Sequence, residues 1–348
     1  MKLSVMVISH NQAHLIRRCL ESILAQKINA PWEIVISDDA STDGTWDVIG
    51  EYVGKYRECR KEREWYRPII RGYQINSSNY NPTVTSDRCA ANKANVYKHA
   101  EGEYCVNIDA DDYLLGDDIY QYQIDQLEAH PECSVAVQNI WYQNDGELVE
   151  NGHTWHPKNI WKENDVIEFA TYCHRRAFIS NPAFMMRRDV MLDPMTKYGL
   201  FFDDPIISTH HLVRGKIICS QRAQYVYVQY NNSIWHQVGS ESQDMMVRPM
   251  TVLIAYLKFF PSLQKMVLEM EVFGWITSLK KMLQMKEPVT ISNLTRAYVD
   301  RFQNRSLHRI IRGNRLYMKV LLKIALAISK FDRYDGVMAS LWCKMITK

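Results

Sequence analysis

Tyr104-Cys105-Val106-Asn107-Ile108-Asp109-Ala110-Asp111-Asp112 is an apolar run that ends in three carboxylates within four residues. The apolar half reads as a buried strand, and the acids stand at its carboxyl end. Like charges this close repel, so a fold holds them cheaply only when they are solvated or share a cation. In an open α/β sheet, ligands sit outside the carboxyl ends of the strands. A hard divalent cation takes oxygen ligands and divides them between one or two carboxylates and substrate phosphates. The run therefore points to a metal–diphosphate site, with loop acids or a helix N-cap as the plain alternative. An EF-hand loop is excluded: counted from Asp109, Tyr113 holds the third ligand position and Leu114 the required glycine position.

The chain upstream strengthens the first reading. Residues 3–9 form an apolar strand, and Leu15, Ile16, Cys19, Leu20, Ile23 and Leu24 then recur at one-turn intervals. A second apolar strand, Glu33 to Ser37, follows about 30 residues after the first, the length of one βαβ unit, which implies a parallel pair with a right-handed crossover. It ends at Asp38-Asp39-Ala40. The run Ser41-Thr42-Asp43-Gly44-Thr45 then supplies N-caps for a helix through Trp46, Val48, Ile49, Tyr52 and Val53. The mixed-charge stretch Lys55 to Arg67 reads as a continuation of that helix or a surface loop, and residues 72–87 as a loop. Cys89 to His99 is helical by pattern, and further strands are expected near Ser134 to Gln138 and Phe178 to Met186. In a parallel sheet Asp38/Asp39 and Asp109/Asp111/Asp112 share one edge.

Length and composition bound the rest. The 348 residues suit one large domain or two ordinary ones. The opening Met1 to Ile8 is too short for a signal-peptide h-region with its cleavage site, and no apolar stretch approaches the ~20 residues that span a bilayer. Eight scattered cysteines without a C-x-x-C pair imply reduced, packed thiols in a cytosolic protein, neither a disulfide framework nor a zinc site. Residues 251–348 carry 17 Lys and Arg against 6 Asp and Glu, a surplus of 11 that leaves residues 1–250 at −8 within the overall +3. An acidic body carrying a basic tail reports on partners more than on fold.

Together these pieces resemble a family 2 glycosyltransferase, of the inverting GT-A type found in bacterial surface-polysaccharide synthesis. The resemblance covers residues 1–240. It rests on the order and spacing of Ser9-His10-Asn11, Cys19-Leu20-Glu21-Ser22-Ile23-Leu24-Ala25-Gln26, Glu33 through Thr45, and Ala100-Glu101-Gly102-Glu103-Tyr104 leading into Asp109-Ala110-Asp111-Asp112. It implies an α/β fold: a Rossmann-like mixed sheet flanked by helices, split into a nucleotide-sugar half (1–115) and an acceptor half (116–240), with a mainly helical extension over 241–348. It assigns Asp39, with Asp38 beside it, to the nucleobase, and an acceptor-only carboxylate suits an imide N–H such as uracil presents. Ser9, His10 and Asn11 line the nucleotide pocket. Asp109 and Asp111 end the family's Asp-x-Asp motif, reaching ribose and a Mn²⁺ or Mg²⁺ ion; Asp111 and Asp112 are the two candidates for the direct ligand. Arg71 or Arg88 would face the diphosphate.

The family's general base comes from an acidic pair about 90 residues after the metal motif, where this chain has Leu200-Phe201-Phe202-Asp203-Asp204-Pro205. Asp204 is the favoured base and Asp203 the second; capping of the following helix fits the same residues. Ser180 and Asn181 are acceptor-side candidates. The family's Tyr-Arg-x-His-like stretch is replaced by Tyr227-Val228-Gln229-Tyr230-Asn231-Asn232-Ser233-Ile234-Trp235-His236, without the Arg. The implied partners are a nucleotide sugar, UDP-linked by the argument above, and a glycan or lipid-linked acceptor. A homodimer stays open.

The tail adds an amphipathic segment over 318–331 with Lys319, Lys323 and Lys330 on one face, below Arg301, Arg305, Arg309, Arg312 and Arg315. Two readings remain: a helical subdomain with a solvated basic side, or peripheral contact with the anionic inner face of the cell membrane. No recognition module for nucleic acid accompanies the charge. Two functional rivals also stand: a non-catalytic nucleotide-sugar-binding or scaffold module of the same fold, and a sugar-phosphate nucleotidylyltransferase. Ser9-His10-Asn11-Gln12 lacks the Gly-rich basic loop that the latter needs.

Overall fold

The computed structural model describes residues 1–75, 85–144, 146–150, 161–168, 183–188 and 214–229. All of them fall within one compact unit, Met1–Gln237. The basic segments beyond residue 250 lie outside the described residues.

The sheet begins with the two strands that the apolar runs predict. β1 (Leu3–Ser9) and β2 (Trp32–Asp38) are parallel, joined through α1 (Ile16–Leu24). α1 buries Ile16, Cys19, Leu20 and Ile23, the residues whose one-turn spacing predicts the helix. β1 and β2 are buried along almost their whole length, as strands covered on both faces must be. Each fully buried Leu, Ile or Val here contributes about 1.5–3 kcal/mol by leaving water. α2 (Thr45–Lys55) follows, entered through Gly44 at φ +91°, a left-handed conformation that glycine adopts without steric cost.

The stretch Lys55 to Arg67 departs from expectation. In place of more helix it forms a hairpin, β3 (Arg60–Glu62) and β4 (Trp65–Arg67), turned by Arg63 at φ +62°. The sequence Arg60-Lys61-Glu62-Arg63-Glu64 offers no apolar helix face to bury, so no packing holds a longer helix. β5 (Ile69–Gln74) returns the chain alongside β2 in parallel.

α3 (Thr85–His99) leads through Gly102 into β6 (Tyr104–Asp109), which pairs with β1 in parallel. Gly102 is required by close approach: a Cβ there would lie 2.3 Å from the Ser4 backbone nitrogen. β7 (Tyr113–Leu114), α4 (Ile119–Ala129), β8 (Cys133–Asn144), β9 (Glu147–Glu150), β10 (Val166–Ile167), β11 (Phe184–Arg187) and β12 (Lys216–Gln229) complete the described elements. The strand order is β10-β12-β8-β11-β6-β1-β2-β5. β11 runs antiparallel to both β6 and β8, which makes the sheet mixed. β7 pairs with β12, and β9 with β8. Among the described residues no helix is long and apolar enough to cross a membrane.

Candidate functional site

Three neighbouring parallel strands, β6, β1 and β2, end at the same level. Ile8 is level with Asp109 on one side and Ser37 on the other, and Ser9 is level with Asp38. Residues about 30 and 100 positions apart in sequence therefore meet on one edge.

The β2 end is built around Asp38. Its buried carboxylate accepts hydrogen bonds from Ser9 Oγ (3.0 Å), Ser41 N (3.0 Å), Ser41 Oγ (2.5 Å) and Gln74 Nε2 (3.2 Å). Such a carboxylate is a framework group that ties β1, β5 and the following loop together. Asp39 comes next, with its backbone N–H bonded to Ser9 O at 2.9 Å. His10 Nδ1 donates to the Asp39 carbonyl at 2.7 Å, and Asn11 Nδ2 donates to His10 Nε2 at 3.3 Å. These two bonds fix one imidazole tautomer and orient the ring beside Asp39. Asn11 N donates to Ser41 Oγ, and Asn11 Oδ1 accepts from Thr42 N, both at 2.8 Å. Asn11 and Ala40 both hold positive φ, +52° and +46°. Non-glycine residues in that region are uncommon and gather at binding sites. From α3, Asn92 bonds Ser9 O at 3.0 Å and Asn95 bonds Ser37 Oγ at 2.8 Å, so the helix pins both strand ends.

The β6 end carries the acidic run. One carboxylate oxygen from each of Asp109, Asp111 and Asp112 lies within 4.8 Å of the others. Asp109 and Asp111 are half-buried, whereas Asp112 is 1% exposed. Both Asp112 oxygens are engaged: Oδ2 accepts from the Tyr225 hydroxyl and Oδ1 from Val228 N at 2.8 Å. Burial, then the negative charges of Asp111 and Asp109, push the Asp112 carboxyl well above the usual range; the bonds from Tyr225 and Val228 offset this only in part. Burial also raises Asp111, against hydrogen bonding by Gln12 and the charge of Arg18. Arg18 reaches over from α1, donating to Asp111 O at 3.1 Å and stacking on Tyr113 at 4.3 Å. The donor set is hard oxygen alone, with two half-buried carboxylates facing one point. That chemistry fits a hard divalent cation such as Mn²⁺ or Mg²⁺.

Residues 4–70 match the family model described as glycosyl transferase family 2. Over that stretch the chain is similar to that family. An uncharacterized protein of Mycobacterium tuberculosis, Rv1520, is 28% identical over 241 residues, covering 69% of this chain and 62% of that protein. The chain thus spans less than two thirds of this relative's length. Poly(ribitol-phosphate) beta-glucosyltransferase of Bacillus spizizenii is 30% identical over 115 residues, 33% of this chain and 15% of that enzyme. The crystal structure of S. aureus TarS residues 1–349 aligns with a TM-score of 0.52 at 17% identity, over 73% of this chain and 65% of that one. The fold is GT-A-like.

Within that fold, Ser9, His10, Asn11, Asp38, Asp39, Asp109 and Asp111 lie along one edge. Arg71 sits elsewhere on β5, level with Val35 and so three positions short of the Asp38 level. Its guanidinium is held by Glu33 (2.8 Å) and Glu101 (3.0 Å), an arrangement that gives it a structural partner set instead of an open diphosphate. The Arg88 side chain, Ser180, Asn181, Asp203 and Asp204 lie outside the described residues. Sequence reading missed Tyr225, Arg18 and the α3 pair Asn92 and Asn95. Only the last left a signal, two asparagines three apart in an otherwise apolar-spaced helix, facing the strand ends.

Proposed function

We propose that this chain transfers a sugar from a UDP-linked donor to a hydroxyl of a surface glycan or lipid-linked acceptor, with inversion and with a divalent cation bound. The observation that carries the reading is the convergence of Asp39, Asp109 and Asp111 on one edge of the sheet. Asp39 accepts from the imide N–H of the base, beside the oriented His10 ring. Asp109 and Asp111 would hold Mn²⁺ or Mg²⁺, which when bound supplies positive charge to the leaving diphosphate. Asp204 removes the acceptor proton, and the hydroxyl attacks the anomeric carbon from the face opposite the diphosphate. UDP is favoured also because TarS 1–349, of the same fold, has been crystallised with UDP-GlcNAc. A polymeric surface acceptor is favoured by the poly(ribitol-phosphate) beta-glucosyltransferase match. Action at the cytoplasmic face of the membrane accords with such an acceptor.

The test is a binding and transfer series. UDP should bind more tightly than GDP or ADP, and chelator should weaken it. Asp204→Asn should abolish transfer while leaving metal-dependent UDP binding intact. Normal turnover by that variant would remove Asp204 from the reaction, and chelator-insensitive UDP binding would remove the cation.

A further inference from the structure

We infer that Asp112 is a latch, not a metal ligand, and that Tyr225 is a positioning residue: their bond ties β12 to the acidic turn and so sets the affinity of Asp109 and Asp111 for a divalent cation. The inference rests on the metal site proposed above and answers which carboxylates of the run hold the ion.

The turn is held from two sides. From α1, Arg18 grips the Asp111 carbonyl, Cys19 Sγ approaches the Asp109 carbonyl at 3.6 Å, and Ser22 Oγ accepts from Leu114 N at 3.0 Å. From the other side comes β12. It pairs with β7, which starts at the residue after Asp112, through Tyr225↔Leu114 and Val226↔Tyr113. Leu115 N also donates to Gln224 O at 2.6 Å. The register of β12 against β8 shifts between Cys219 and Ala223 and again between Ala223 and Tyr225. Such bulges re-aim the side chains that follow. Here the side chain that follows is Tyr225, fully buried, with its hydroxyl on Asp112.

Asp112 could become a ligand only by weakening bonds made inside the protein, because almost none of it reaches solvent. Asp109 and Asp111 are only partly buried. Groups that orient ligands from behind tune metal affinity, and losing one commonly costs about 10- to 100-fold. Tyr225→Phe deletes the latch hydroxyl and keeps every carboxylate. The two assignments then predict opposite outcomes. A latch role gives weaker cation binding, by about tenfold or more. A ligand role gives equal or tighter binding, since Asp112 Oδ2 is released to the ion.

Mn²⁺ binding is read from the loss of the free-ion paramagnetic resonance signal, in the full chain with UDP present, alongside UDP binding in chelator. The expected result is weakened Mn²⁺ binding by Tyr225→Phe, with chelator-state UDP affinity unchanged. Equal or tighter Mn²⁺ binding overturns the latch and leaves the proposed function standing. Wild-type protein that binds no Mn²⁺ or Mg²⁺ with UDP overturns the metal site and the latch together. Should Tyr225→Phe fail to fold, amide exchange at Val228 in the wild type decides: binding and latch closure are reciprocal, so UDP with Mn²⁺ should slow it. An unchanged rate overturns the latch.

Discussion

Asp38 and Asp39 are neighbours with different tasks, and Asp38→Ala separates them. The Asp38 carboxylate is buried and accepts from Ser9 Oγ, Ser41 N, Ser41 Oγ and Gln74 Nε2. Gln74 is exposed and returns to water without loss, and the Ser41 hydroxyl can rotate to do the same. Two donors, the buried Ser9 hydroxyl and the Ser41 N–H, lose a charged acceptor. Hydrogen bonds to a charged group are worth about 1.5–3 kcal/mol each, so the loss is about 3–6 kcal/mol. In a domain of about 150–250 residues each kcal/mol moves Tm by about 2–4 °C, which places the expected drop at about 6–24 °C. Scanning calorimetry measures it, with UDP titrated below the new melting range. Asp39→Ala is the contrast: UDP affinity should fall and Tm should hold. If Asp38→Ala melts within about 2 °C of wild type while UDP binding collapses, Asp38 is a binding residue and the framework argument fails.

Three further outcomes are expected. Burial pushes the Asp43 carboxyl up, but hydrogen bonds from Thr45 and Ala13 outweigh it and hold it below the usual value. A depressed carboxyl stabilises above its unfolded value and loses that effect as pH falls, so the Tm gap between wild type and Asp43→Asn should be full above about pH 5 and shrink progressively as pH falls below the unfolded carboxylate value of about 3.9. Gly102→Ala places a Cβ 2.3 Å from Ser4 N and 2.6 Å from Leu3 C, both backbone atoms that cannot step aside; a loss of at least about 3 kcal/mol, seen in urea melts, is expected. Arg187 donates to Cys133 O (2.8 Å) and Leu127 O (2.6 Å), joining the end of α4 to the start of β8. Arg187→Lys keeps the charge but not the fork, and should cost about 1–3 kcal/mol with UDP binding unchanged.

Much of this was legible in the sequence, for identifiable reasons. β1, α1, β2, α2 and β6 each bury a regular pattern, so periodicity alone locates them. The strand expected at Ser134 to Gln138 lies inside β8, which runs on to Asn144. β12 was not legible. Its middle, Ser220-Gln221-Arg222-Ala223-Gln224, is polar and bulged, which breaks the alternation by which strands are read. The hairpin at Arg60–Arg67 hid in a charge run with no apolar period. Arg71 reads as a phosphate ligand only until its partners Glu33 and Glu101 are seen, and those are set by cross-strand register. Asp111 and Asp112 are indistinguishable as letters. They differ through Tyr225, more than a hundred residues away.

The bond from Tyr225 to Asp112 spans 113 residues, and the contact of β6 with β1 spans about 100. Loops of that length close late, after local helices and hairpins have formed. During synthesis the acidic turn leaves the ribosome well before the strand that secures it. A chain stopped anywhere short of residue 225 therefore carries the carboxylates without the bond that sets their geometry. Synthesis through residue 225, and not the presence of the acids alone, becomes the condition for the acidic turn to be held as the structure shows it.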